Sequence, residues 1–133
     1  AKYSLANNSY LITSKCYDQI NNLGLLKKGK LLRSKKGSKN GFTFEHPVPS
    51  NVIADEVIKN IGNNNKIMKI LRETDLVTVI SYDENNKINK SGYRQEMPED
   101  SLIQKDMFAR YKLSGIEVPT RKIEVYGAIA RWI

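Results

Sequence analysis

His46 is the only histidine in the chain and lies in the run Gly41-Phe42-Thr43-Phe44-Glu45-His46-Pro47. Imidazole is the side chain best suited to moving protons near neutral pH. Just upstream, Lys27, Lys28, Lys30, Arg33, Lys35, Lys36 and Lys39 fall within thirteen residues that contain no acid. Lys and Arg neutralise phosphates and give affinity without sequence information. A cation cluster beside a titratable ring therefore suits a polyanion, and proton transfer on it. Metal-free cleavage of a phosphodiester needs a base, an acid and a cation for the crowded phosphate. Tyr93-Arg94-Gln95-Glu96 supplies two further candidates, Arg94 as a phosphate clamp and Glu96 as a second titratable group. If that segment is extended, the two share a face. Arg110-Tyr111 adds another polar pair by residue type alone. On a strand, Glu45 and His46 point to opposite faces, so they form a dyad only if the Pro47 turn breaks the alternation.

The charge is unevenly spread. Residues 1–44 carry nine Lys/Arg and one acid, Asp18, whereas residues 45–133 balance thirteen against thirteen. The net charge of +8 and pI near 9.6 favour an acidic partner, nucleic acid foremost. Tyr10, Tyr17, Phe42 and Phe44 lie near enough in sequence to offer stacking surfaces for unpaired bases. The 133 residues fit one globular domain, 1–133. No run approaches the about 18–20 apolar residues of a spanning helix, so no membrane partner is expected. Cys16 is the single cysteine. It cannot form an internal disulfide, and with one His it cannot complete a common zinc site. A buried structural role and a reducing cytoplasm are the expectations.

The elements that must position these groups read as a mixture without βαβ rhythm. The expected class is α+β: one small mixed or antiparallel sheet with three to four short helices. Strands are expected over Ser9–Thr13, Gly41–His46, Leu76–Tyr82, Ile116–Val118 and Ile123–Ala130. Leu76–Tyr82 is the most continuously apolar of them and should be central. Ser14 should cap a helix from Lys15 to Leu23 that Gly24 closes. Ser50 should cap another from Asn51 to Ile61, with Ile53, Val57 and Ile61 on its inner face. Lys66–Glu73 should form a third, with Ile67, Ile70 and Leu71 inward, and Asp100–Leu113 should hold a helix around Met107–Tyr111. Asp83–Gly92 reads as a helical turn or loop. Residues 27–41, rich in Lys, Gly, Ser and Asn, read as a basic mobile loop.

Glu45-His46-Pro47-Val48-Pro49, followed by Asn51, resembles the His-bearing strand of the HNH (His-Me finger) nucleases over about seven residues. The resemblance implies a His that activates water while a divalent metal holds the phosphate. The second ligand segment of that family, another His or Asn with paired Cys, is not recognisable. No metal ligand, no cofactor and no family membership are assigned. No Asp or Glu is followed two residues later by Lys, as a restriction-enzyme core would require. A P-loop, G-x-G-x-x-G and G-x-S-x-G are absent too.

The leading expectation is a small endonuclease or ribonuclease. His46 would transfer protons, Arg94 and Glu96 would complete the site, and the 27–39 cluster would grip the backbone. The alternatives are a non-catalytic, regulatory nucleic-acid-binding module and a protein-interaction module with an acidic partner. The enzyme needs a cleft joining His46 to a cation. The binding module needs a continuous basic face, and the interaction module an apolar patch beside the charge.

Overall fold

The computed structural model describes residues 9–32, 41–74, 76–98 and 106–126. Arg33, Lys35, Lys36 and Lys39 lie outside them, as do the expected strand end at 127–130 and the start of the expected helix before residue 106. Six strands form one mixed sheet: β1 (Ser9–Ile12), β2 (Leu26–Lys27), β3 (Lys30–Leu32), β4 (Phe42–Glu45), β5 (Thr78–Ser81) and β6 (Arg121–Tyr126). Their order across the sheet is β2-β3-β6-β1-β5-β4. Five helices accompany them: α1 (Ser14–Asn22), α2 (Ser50–Lys59), α3 (Asn64–Thr74), α4 (Tyr82–Lys90) and α5 (Ala109–Leu113). The mixture of elements agrees with expectation. The sheet is larger than expected, and there is one helix more.

β5 is buried at every position, pairing parallel with β1 and antiparallel with β4. Its run of β-branched residues suits a strand covered on both faces. One face packs Tyr10, Ile12, Phe42, Val79, Ile123 and Val125 against Cys16 and Ile20 of α1. Cys16 and Ile20 are four residues apart and so share one side of the helix. On the other face Ile80 packs with Ile88, Tyr111 and Ile116, from α4 and α5 and the loop after α5.

Thr13, not Ser14, caps α1: its Oγ1 accepts from the Cys16 amide at 3.2 Å and donates to Glu84 Oε1 at 2.6 Å. Glu84 also accepts from the Ser81 amide at 2.9 Å, completing a capping box at the start of α4. That box turns the polar stretch after β5 into a nine-residue helix rather than a loop. One carboxylate thus ties the starts of two helices together across the core.

The first part of the basic stretch is not loop but a β-hairpin, β2–β3, with Leu31 fully buried. Leu25 and Leu26 are partly buried against the same core as Leu31. α2 starts at Ser50 itself, after Pro49, without a side-chain cap. None of its residues is buried, and Ile61, expected inward, is 75% exposed. α2 packs chiefly on α3, whose Ile70 is buried while Leu71 is exposed. Tyr93–Glu96 forms no strand. Residues 116–118 are likewise irregular, and the last strand begins at Arg121.

Candidate functional site

β4 ends at Glu45, and Pro47-Val48-Pro49 carries the chain into α2. His46 is therefore the first residue past the strand. The strict alternation expected for Glu45 and His46 is broken there, and both line one cavity of about 450 Å³. Its remaining walls are Phe44, Pro49, Ser50, Asn51, Arg94 and Gln95. His46 thus shares a cleft with a cation from a segment 48 residues downstream. The Asn51 amide donates to the Gln95 carbonyl at 2.7 Å and closes the cavity between the two segments.

What holds those segments together is Arg110, a residue that the sequence offered as a candidate by type alone. Its side chain is 2% exposed. Nε donates to the Tyr93 carbonyl at 2.6 Å and an Nη to the Arg94 carbonyl at 3.0 Å. The other Nη donates to the carbonyls of His46 and Pro47, each at 2.9 Å, and to Glu45 Oε2 at 3.2 Å. A guanidinium is the only side chain with enough fixed donors to satisfy this many turned-in carbonyls. Arg110 is a positioning residue: it pins the backbone of both His46 and Arg94.

Glu45 is the charge that accompanies Arg110 into the interior, and it is 14% exposed. Tyr111 donates its hydroxyl to Glu45 Oε1 at 2.5 Å, and Thr78 Oγ1 lies 2.5 Å from the same hydroxyl. Thr78 Oγ1 also donates to the Glu45 carbonyl at 3.2 Å. Burial raises the Glu45 carboxyl above the ordinary carboxylate range. The Arg110 charge, the hydrogen bonds from Tyr111 and Arg110, and the His46 charge pull it the other way without cancelling that rise. Burial, then the Glu45 charge and hydrogen bond, push the Tyr111 phenol well up, so it stays a donor. A carboxyl raised by burial, at the edge of a cavity that also holds an imidazole and a guanidinium, is equipped for acid–base work.

A second cavity of about 400 Å³ adjoins His46 and Ser50 and is walled by Ile53, Leu71 and Thr74. It is the more apolar of the two. Glu96 is not brought to His46. It lines a separate cavity of about 780 Å³ with Tyr93, Met97, Asp106, Lys112 and others. The walls of that cavity include Pro98 and Asp106, which flank residues 99–105 outside the described set. No ligand is assigned to it.

Lys27, Lys28 and Lys30 sit on the β2–β3 hairpin, at the opposite edge of the sheet from β4. Among the described residues, exposed apolar side chains include Ile58 on α2, Met68 and Leu71 on α3, and Ile61 between these helices. Cys16 is fully buried, and burial, with the nearby Glu84 charge, holds its thiol far above the ordinary range. Such a thiol is a poor nucleophile. Among the described residues no cluster of three or more metal-ligating side chains is found.

Sequence reasoning named Arg110 by residue type alone and did not single out Glu84. Glu84 had a signal, the Ser81-x-x-Glu84 spacing of a capping box. The positioning role of Arg110 had no such signal, because most of its partners are backbone carbonyls. Compared with known proteins, the chain matches no family model, no curated protein and no solved structure.

Proposed function

We propose that the chain is a small nucleic-acid-processing protein that cleaves phosphodiester bonds in the cavity between β4 and the Tyr93–Glu96 segment. The observation that carries this reading is the shared cavity of His46, Arg94 and the burial-raised Glu45. His46 transfers a proton at the attacking or leaving oxygen. Glu45 is the second proton-transfer group, held in place by Arg110 and Tyr111. Arg94 stabilises the charge that builds on the phosphate. Asn51 and Gln95 border the same space and supply polar contacts. Glu96 lines another cavity and takes no part.

The test is incubation with labelled single-stranded RNA, tRNA and duplex DNA, with and without EDTA. His46→Ala lowers turnover by about 10²–10⁴, and Arg94→Ala lowers turnover as well. Folding should survive, since neither side chain fills the core. Cleavage by His46→Ala at the wild-type rate would refute the assignment. A non-catalytic binding module is the second reading. It is supported by the hairpin lysines lying across the sheet from His46, and it expects binding without any cleavage.

A further inference from the structure

The β2–β3 hairpin turns through Lys28-Gly29, with φ of 53° and 76°. This is the two-residue turn with positive φ at both central positions. Asn, Asp or Gly ordinarily fills the first of them, because other L residues are strained in the left-handed region. The turn does not call for lysine at 28. The residue's effect is to set an ammonium at the hairpin tip.

That tip borders a groove of about 380 Å³, whose other walls are Tyr17 of α1 and Arg121, Lys122, Ile123 and Glu124 of β6. The Arg121 guanidinium lies 3.4 Å from the centroid of the Tyr17 ring. Stacking occupies its flat face and fixes its orientation, while the N–H donors along its edge stay available. Among the described residues no carboxylate pairs with Arg121, Lys28 or Lys122. The one acid in the groove, Glu124, pairs with Lys30 at 3.5 Å. The groove therefore joins two cations from near the end of the chain to the hairpin lysines and leaves three of its four cations unmatched.

We propose that this groove binds the phosphodiester backbone of a nucleic-acid strand, with Arg121 as a two-pronged donor to one phosphate and Lys28 and Lys122 as flanking charges. The inference rests on the reading of the partner as nucleic acid. It adds residues 17, 121 and 122 to the interface and separates gripping from cutting.

The register fixes how far apart the two activities sit. Lys122 pairs with Leu11, Leu11 with Thr78, and Thr78 with Glu45. Three strand spacings separate Lys122 from Glu45, about 14 Å. A substrate must therefore bridge about 14 Å to use both places.

The experiment is fluorescence anisotropy with an end-labelled 12-nucleotide single-stranded RNA and the DNA of the same sequence, across a salt series. The comparison is wild type, the triple variant Lys28→Gln/Arg121→Gln/Lys122→Gln, and the control Lys66→Gln. All the altered side chains are at the surface or line open cavities. The triple variant should bind at least tenfold more weakly at low salt. Its log–log salt slope should flatten by about two, from about 0.7 per lost phosphate contact. Lys66→Gln, on the exposed face of α3, should bind like the wild type. Unchanged affinity and slope in the triple variant would overturn the proposal, and so would a wild-type protein that binds neither strand. Turnover of His46→Ala bears on the chemistry alone, so failure of the groove and failure of the cavity read out separately.

Discussion

Replacing Arg110 by methionine keeps most of the side-chain volume and removes every donor. Four backbone carbonyls, those of Tyr93, Arg94, His46 and Pro47, then lose their partner. Glu45 loses its counter-charge in the interior. Breaking a buried ion pair from one side costs about 3–5 kcal/mol. Charge-assisted hydrogen bonds are worth about 1.5–3 kcal/mol each, but they do not add to the pair, because opened loops regain water. Glu45 can also take up a proton. A loss of about 3–5 kcal/mol is therefore expected from a total of about 5–15 kcal/mol. With a urea slope of about 1–3 kcal/mol per molar, the midpoint should fall by roughly 2 M. Arg110→Lys keeps the charge but offers three donors for five, and should fall between. Adding Glu45→Gln to Arg110→Met should restore part of the loss, since the orphaned charge goes with it. A fall below about 0.5 M for Arg110→Met, at unchanged slope, would show that the two loops are held by something other than Arg110.

Glu45 makes stability depend on pH. Its carboxyl is raised in the folded protein, so the folded state holds more protons than the unfolded state between the two values. Stability should then fall as pH rises from the ordinary glutamate range through the raised value, and Glu45→Gln should abolish that part of the fall in urea titrations at several pH values. Val79→Asp places an unpaired carboxylate at a fully buried position of β5, costing several kcal/mol. Its circular dichroism should be that of an unfolded chain, and a cooperative native-like melt would contradict the packing of β5. Lys28→Asn should raise stability by about 0.5–1 kcal/mol by relieving the left-handed strain, while nucleic-acid affinity falls. A stability loss would mean that the lysine serves the turn.

The fold was legible where a physical pattern is local. The β-branched run of β5, the alternation of β1 and the glycine stop after α1 are of that kind. The hairpin was hidden because Lys27–Lys30 put four polar or flexible residues between two leucine pairs. Composition spoke for a loop, while the two-residue turn spoke for strands. The inner face expected for α2 failed for another reason. Its period is helical, but the helix lies against α3 rather than the sheet, so the pattern had little core to meet. In the candidate site, His46 and Arg94 were each legible by type. Their meeting was not, because it depends on one arginine that collects carbonyls from both segments, and carbonyls leave no trace in a sequence.

The α2–α3 pair has a consequence for opening. α2 hangs between Pro49 and the left-handed Gly62, at φ 97°, and buries none of its residues. Segments with few buried contacts open locally at a fraction of the global free energy. Amide protons of α2 should therefore exchange with solvent well before those of β5, without the sheet coming apart. Ile53 and Leu71, one from each helix, form the apolar wall of the cavity beside His46. Access to that cavity is then governed by a local opening equilibrium rather than by the resting volume, and a small apolar probe should enter it more readily as temperature rises.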